Sequence, residues 1–246
     1  MRPAAIFSAV VALVMVGVGL VVAALWPDGR DARRDDSGDP AAVARGTALP
    51  DIPPLADDLD LVTWAERTAG PAGVPARALT AYGAAERLQR AVTPDCGLSW
   101  ATLAGVGRVE SNHGRLGRAD LDADGVARPS IIGVPLDGSP GLAEIPDTDG
   151  GRLDGDTEFD RAVGPMQFLP ATWARHGADG DGDGVRDPHD LDDAATAAAR
   201  YLCANGRDTA DGDGWWDGVL AYNRSIDYAR RVWTAADRYA TASPKG

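Results

Sequence analysis

The pattern of hydrophobic and polar positions divides the chain into three parts. From Ala4 to Trp26 no residue is charged, and the run is long enough to cross a bilayer as a helix. Residues 28–55 are polar and rich in Asp, Arg, Gly and Pro, which is typical of a flexible linker. From 56 to 242 apolar residues recur at helical spacing, so we predict a single, mainly α-helical domain there.

The first part, residues 1–27, has two interpretations. An uncleaved transmembrane anchor fits the length of the run. A cleaved signal peptide usually has a shorter apolar core and a small-x-small cleavage site, whereas Leu25, Trp26 and Pro27 follow directly after the alanines here. We therefore favour the anchor. Both interpretations place the remainder of the chain outside the cytoplasm, anchored to the membrane or secreted.

One helix of the domain ends on a glutamate. Ser99 is a plausible N-cap, and Leu103, Val106 and Glu110 then share one face at i, i+3 and i+7. Both burial and the negative end of the helix dipole raise the pKa of a carboxyl group placed there. A carboxyl that stays protonated near neutral pH can act as a general acid. The alternative is a partly exposed glutamate on an amphipathic helix.

The two cysteines, Cys96 and Cys203, are the only ones in the chain. Outside the cytoplasm such a pair usually forms a disulfide, although two buried free thiols are the alternative. Between the glutamate and the next motif, residues 118–160 form a long loop-rich insertion, which we predict to be a wall of a substrate cleft. Its Asp120, Asp122 and Asp124 begin like a calcium loop but lack the later ligands.

An acidic loop follows further along the chain, between two predicted helices. Its spacing is that of an EF-hand, with Asp in the place of the usual final Glu. We predict a structural Ca²⁺ site there and no organic cofactor, the alternative being a flexible acidic linker. The predicted ligands are Asp179, Asp181, Asp183, Val185 (through its carbonyl), Asp187 and Asp190.

Two polar groups lie in apolar surroundings. Gln167 interrupts an apolar turn, where its amide can bind a sugar acetamido group or satisfy the turn itself. Tyr222 closes a late helix, where it can line a cleft or pack in the core. The formal net charge of −13 argues against nucleic acid as a partner.

Together, Glu110-Ser111, the segment Gly164-Pro165-Met166-Gln167-Phe168-Leu169-Pro170-Ala171-Thr172-Trp173 and Ala221-Tyr222-Asn223 resemble the motifs of the lytic murein transglycosylases. The resemblance is closest to the membrane-bound type B group, which also carries an EF-hand-like calcium site. It covers roughly residues 60 to 240, in order and spacing. Each motif is weak by itself, whereas the ordered set is specific.

This resemblance implies a lysozyme-like α+β fold, a peptidoglycan substrate and an attachment to the bacterial cytoplasmic membrane. Glu110 would protonate the bond between N-acetylmuramic acid (MurNAc) and N-acetylglucosamine (GlcNAc). It would then act as base on the muramoyl C6 hydroxyl and give a 1,6-anhydro product. The substrate's own acetamido group would stabilise the positive centre, so a single carboxylate suffices. The implied substrate-binding residues are Ser111, Met166, Gln167, Tyr222 and Asn223.

Two other functions stay open at this level. A muramidase would use water instead of the internal hydroxyl on the same bond. A wall-binding or assembly protein would keep the fold without catalysis. A third reading, a calcium-dependent surface module, leaves the Met166-Gln167 and Tyr222-Asn223 motifs unexplained.

Overall fold

The structure, a computed structural model, describes residues 42–242. In this range the chain is mainly α-helical with one small antiparallel sheet, as predicted. The elements are α1 (Leu61–Ala72), α2 (Ala76–Val92), α3 (Trp100–Ser111), β1 (Asp120–Leu121), β2 (Ala127–Arg128), α4 (Pro170–His176), α5 (Leu191–Leu202), α6 (Gly212–Tyr222) and α7 (Ile226–Ala242).

Helix α3 lies at the centre of the core, between α2 and α7, and nearly every one of its residues is buried. Two glycines permit this close packing. A Cβ at Gly105 would lie 2.7 Å from the Val232 carbonyl oxygen of α7, and one at Gly107 would lie 2.0 Å from the Tyr82 hydroxyl of α2. Larger residues at these positions would separate the three helices.

The end of α3 is fixed by three successive residues in the left-handed region, Asn112, His113 and Gly114. The helix begins at Trp100, after the N-cap Ser99, whose side chain accepts from the Thr102 backbone N–H. At the other end, the backbone N–H of His113 donates to the Gly107 carbonyl over 2.9 Å. Helix α3 therefore ends at Ser111, three residues before Gly114, and Glu110 lies in its last turn.

The Cys96–Cys203 disulfide predicted from the sequence is present. It joins the short turn that precedes α3 to the residue that ends α5. The two cysteines are 107 residues apart in the sequence and their Cα atoms are 5.6 Å apart. The bridge therefore ties the start of the glutamate helix to a distant part of the core.

The insertion from 118 to 160 is loop-rich, as predicted, and holds β1 and β2. Its continuation pairs with the segment that leads into the Gly164–Trp173 motif. The Gly133 N–H donates to the Ala162 carbonyl, and the Gly164 N–H donates to the Ile131 carbonyl, each over 2.8 Å. The insertion thus packs directly beside that motif.

Two details differ from the sequence interpretation. Residues 43–55, predicted as part of the flexible linker, pack against the domain, because Leu55 is buried and Val43 contacts the core. The helical spacing of Leu79, Tyr82, Leu88 and Val92 predicts an apolar face on α2, but only Leu79 and Tyr82 are buried, whereas Leu88 and Val92 are exposed. The predicted anchor at Ala4–Trp26 lies outside the described residues. Among the helices that are described, none is long and apolar enough to span a membrane.

Candidate active site

Glu110 is buried at the end of α3, with a relative exposure of 6%. The Tyr228 hydroxyl, in the first turn of α7, donates to its Oε1 over 2.5 Å. A short hydrogen bond from a neutral donor to a carboxylate fixes the carboxylate and favours its ionised form. The glutamate is therefore both desolvated and held in one orientation.

Burial raises the pKa of Glu110 to about 7, and this effect exceeds two opposing ones. The Tyr228 hydrogen bond lowers the pKa, and the positive charge of Arg231 lowers it further. Within residues 42–242, the groups that set this pKa do not include another carboxylate. Glu110 is thus poised to give up and take back a proton near neutral pH.

The three motifs of the sequence converge on this glutamate. The hydroxyl of Ser111 donates to the Pro165 carbonyl over 2.6 Å, which ties the end of α3 to the Gly164–Trp173 motif. The hydroxyl of Tyr222 donates to the Met166 carbonyl over 2.7 Å. Burial raises the pKa of Tyr222, and the nearby charge of Glu110 raises it further. Motifs far apart in the sequence therefore surround one carboxyl group.

The other predicted substrate-binding residues hold this arrangement together. The Met166 side chain is fully buried, so it supports the site from the core side. Gln167 has a φ of +48°, and its side-chain N–H donates to the Gly164 carbonyl over 2.9 Å. That contact is the turn-satisfying alternative that the sequence left open. The Asn223 side-chain oxygen accepts from the Ser225 N–H, at the junction of α6 and α7.

Sequence reasoning missed Tyr228 and His113. Tyr228 is an aromatic residue in the first turn of α7, and no local pattern indicates that it is a partner of Glu110. His113 is buried between two tyrosines, with Nδ1 3.2 Å from the Tyr82 hydroxyl and Nε2 3.1 Å from the Tyr239 hydroxyl. Burial lowers the pKa of His113 to about 3, so its imidazole is neutral and links α2 to α7 through hydrogen bonds.

The acidic loop lies between α4 and α5, the frame that the sequence predicted. Carboxylate oxygens of Asp179, Asp181 and Asp193 lie within 4.8 Å of one another. Asp190, predicted as the last ligand, instead caps α5 by accepting from the Asp192 N–H over 2.7 Å. Asp193 lies in the first turn of α5, and its carboxylate points back to the loop. The third acidic residue of the cluster is therefore three positions later in the sequence than Asp190, the last ligand that the EF-hand spacing predicts.

The remaining predicted ligands of this loop bond to its own backbone. Asp183 accepts from the Val185 N–H, and Asp187 accepts from the His189 N–H. Asp193 accepts from the N–H groups of Gly180 and Asp187. Burial, together with the nearby charges of Asp181 and Asp179, raises the pKa of Asp193 to about 6, although its backbone hydrogen bonds lower it.

The incomplete calcium-like loop at Asp120 is neutralised by arginines. Asp122 forms a 2.7 Å ion pair with Arg128 across the β1–β2 hairpin. Arg77 of α2 donates to the Ala123 and Asp124 carbonyls and pairs with Asp192. In the part of the chain that the structure describes, the groups of acidic side chains close enough to share a metal do not include this hairpin.

A comparison with protein families matches residues 159–219 to the Transglycosylase SLT domain. The matched range contains the whole Gly164–Trp173 motif and the acidic loop, and it does not extend to Glu110. Among solved structures, the Escherichia coli lytic transglycosylase Slt35 in complex with bulgecin A is similar at 14% identity, with 78% of this chain and 77% of that chain covered and a TM-score of 0.44. That similarity is too low to support a functional assignment. No curated protein matches the chain.

The family match agrees with the resemblance that the ordered motifs predicted. It covers the central motif and the loop that follows it, while the structure joins the other two motifs to the central one through the Ser111–Pro165 and Tyr222–Met166 hydrogen bonds. The chain therefore carries a segment similar to the Transglycosylase SLT domain, and a buried glutamate lies outside that segment.

Proposed function

We propose that this enzyme cleaves the β-1,4 bond between MurNAc and GlcNAc in peptidoglycan and forms a 1,6-anhydro-MurNAc end, with Glu110 as its single acid and base. The observation that carries this proposal is the buried carboxyl of Glu110, whose pKa is raised to about 7 and which accepts a hydrogen bond from Tyr228. The resemblance to the type B transglycosylases supplies the substrate and the product.

The protonation state of Glu110 supports both halves of such a reaction. A carboxyl with a pKa near 7 is substantially protonated at neutral pH, so it can donate to the glycosidic oxygen as the bond breaks. The resulting carboxylate is a stronger base than a carboxylate with an ordinary pKa, and it can accept the proton of the C6 hydroxyl. Tyr228 stabilises the carboxylate between the two steps, since its hydroxyl donates to Oε1.

Burial also favours the internal hydroxyl over water. Glu110 exposes only 6% of its surface, which restricts the approach of a water molecule that the carboxylate could activate. A hydroxyl on the same sugar is held close to the reacting carbon, and such intramolecular attack has a large entropic advantage. We therefore place the transglycosylase reaction ahead of hydrolysis by a muramidase.

The pH dependence of cleavage tests the assigned role of Glu110. Because the carboxyl must be protonated to start the reaction, kcat/KM on purified peptidoglycan should be high below pH 7 and fall about tenfold per pH unit above it. This descending limb of the pH profile reflects the pKa of Glu110, which burial raises to about 7. A rate that stays constant from pH 5 to pH 9 would contradict the assignment.

Tyr228→Phe provides the matched control for that profile. The substitution keeps the ring and removes the hydroxyl that lowers the pKa of Glu110. The descending limb should therefore move to higher pH. A limb that moves to lower pH, or does not move, would show that another group controls it.

We also propose that the acidic loop holds a structural Ca²⁺ ion. The residues fit this ion, because Asp179, Asp181 and Asp193 bring carboxylate oxygens within 4.8 Å of one another and Ca²⁺ prefers oxygen ligands. Repulsion among these aspartates contributes to the raised pKa of Asp193, and a divalent cation would relieve it. The ion would stabilise the connection between α4 and α5.

Calcium should raise the melting temperature of the protein, and a chelator should reverse the change. At a Ca²⁺ concentration one hundred times the dissociation constant, the free energy of unfolding should increase by about 3 kcal/mol. Asp193→Asn should abolish the response. Asp190→Asn is the control, because Asn caps helices as well as Asp and the variant should still respond. Equal melting temperatures with and without Ca²⁺ would refute the site. Loss of the response in the Asp190 variant alone would indicate that Asp190 is a ligand, as the EF-hand spacing predicts.

The extracytoplasmic location and the membrane anchor at residues 1–27 belong to the same proposal. The Cys96–Cys203 disulfide supports the location, because such bridges persist in oxidising compartments. Fractionation of cells that produce the full chain tests the anchor, which predicts recovery with the membrane. Recovery from the medium would indicate a cleaved signal peptide instead.

A further inference from the structure

Residues 43–56 cross the surface of the domain and are attached to it at both ends. At the first end, the Thr47 carbonyl accepts from two indole N–H groups, those of Trp216 in α6 at 3.1 Å and Trp233 in α7 at 3.0 Å. The Arg230 side chain, also in α7, donates to the Val43 carbonyl over 3.0 Å. This end of the segment therefore bridges α6 and α7.

The contact with α6 also involves the backbone directly. A Cβ at Gly212 would lie 2.1 Å from the Gly46 carbonyl oxygen, so the segment approaches as closely as a glycine permits. The neighbouring ion pair between Arg45 and Asp217 leaves both side chains 60% exposed. The attachment thus consists of close packing and of hydrogen bonds from side chains of α6 and α7 to main-chain carbonyls of the segment, and the exposed ion pair adds little.

The second end is attached to α2 and to the start of α3 through Glu86, a buried residue of α2. One oxygen of its carboxylate accepts from the Leu55 N–H and the other from the Trp100 N–H, each over 2.8 Å. Arg90 donates to the Leu55 carbonyl, and Arg87 donates to the Ala56 carbonyl. Since Trp100 is the first residue of α3, this end is tied to the helix that carries Glu110.

The segment therefore joins the two helices whose side chains meet in the active site. Helix α3 supplies Glu110 and helix α7 supplies Tyr228, and the hydrogen bond between them is 2.5 Å long. The length of this bond depends on the relative position of the two helices. Small misplacements of a catalytic group have large effects on rate. We propose that residues 43–56 form a brace that positions Tyr228 on Glu110, with the Trp233 indole N–H as one of its donors from α7.

This proposal rests on the catalytic role of Glu110 proposed above. The groups that face Glu110 are Tyr228 and Arg231 from α7 and Tyr222 from α6. Trp233 is not among them, so it acts as a positioning residue through α7. Loss of its N–H should weaken the Tyr228 hydrogen bond and leave substrate contacts in place.

The test compares Trp233→Phe, Tyr228→Phe and the double variant in the full chain, with soluble glycan strands as substrate. In Trp233→Phe we expect kcat to fall about fivefold with KM unchanged. The descending pH limb should move upward, as it does in Tyr228→Phe. In the double variant neither kcat nor the limb should change beyond the effect of Tyr228→Phe alone, because both substitutions remove the same hydrogen bond.

Trp215→Phe is the matched control. Its indole also loses an N–H, which donates to the Thr102 hydroxyl over 3.0 Å and not to residues 43–56. This variant should melt at a lower temperature without moving the pH limb. If Trp233→Phe does not fold, Gly212→Ala replaces it, because the added methyl group displaces the brace from α6 and should give the same limb shift.

Independent effects in the double variant, or an unmoved limb in the brace variants, would show that residues 43–56 only stabilise the fold. That result differs from a failure of the proposed function. If Glu110 were not the acid, Tyr228→Phe by itself would leave the limb of the otherwise unchanged protein in place.

Discussion

Replacing Glu110 by Gln should lower the rate of peptidoglycan cleavage by about 10³-fold or more, because the amide can neither donate a proton to the leaving oxygen nor take one from the attacking hydroxyl. The effect should fall on kcat, since the variant keeps the shape of the side chain. The measurement is release of soluble muropeptides from purified sacculi. Undiminished release by the variant would favour a non-catalytic role for this glutamate.

The stability of the same variant provides its control. The pKa of Glu110 is raised from 4.5 to about 7 in the folded protein, so folding takes up a proton between these values and stability falls as the pH rises through them. Gln carries no such cost. The variant should therefore be about 3 kcal/mol more stable than the unmodified protein at pH 8, with the difference vanishing below pH 4.5. Lower stability at pH 8 would indicate that the fold was damaged and that the lost activity is uninformative.

The second large effect concerns the Cys96–Cys203 disulfide. The bridge closes a loop over a separation of 107 residues, and its loss should cost about 4–5 kcal/mol of stability, mainly because the unfolded chain gains conformational freedom. Thermal unfolding of the double variant Cys96→Ser with Cys203→Ser measures this loss.

Reduction of the unmodified protein should lower its melting temperature by a similar amount, and the double variant should not respond to the reductant. A melting temperature that the reductant leaves unchanged would mean that the bridge contributes little. Since Cys96 lies just before α3, partial loss of activity should accompany the lower stability at temperatures near the transition.

The sequence predicts those features that depend on local pattern. The spacing of Leu103, Val106 and Glu110 places a carboxyl on a buried helix face, and the structure confirms its burial. The helices on both sides of the acidic loop are also correct, because caps and apolar periodicity are local signals. The disulfide follows from the number of cysteines and the inferred compartment.

The features that the sequence does not predict depend on contacts between distant residues. Tyr228 meets Glu110 across 118 positions of the sequence, and no local pattern indicates that pair. Asp193 replaces Asp190 beside the other acidic groups because the start of α5 turns its side chain toward the loop. The polar composition of residues 43–55 does not indicate that they attach to the domain. The attachment uses mostly the backbone groups of these residues, whose hydrogen bonds do not depend on side-chain type.

The central claim is that Glu110 directs an internal hydroxyl to the cleaved bond. Mass spectrometry of the products from purified peptidoglycan tests it most directly, with the unmodified protein beside Glu110→Gln. We expect 1,6-anhydro-MurNAc ends from the unmodified protein and no soluble products from the variant. Reducing MurNAc ends without any anhydro product would contradict the claim and identify the enzyme as a hydrolase.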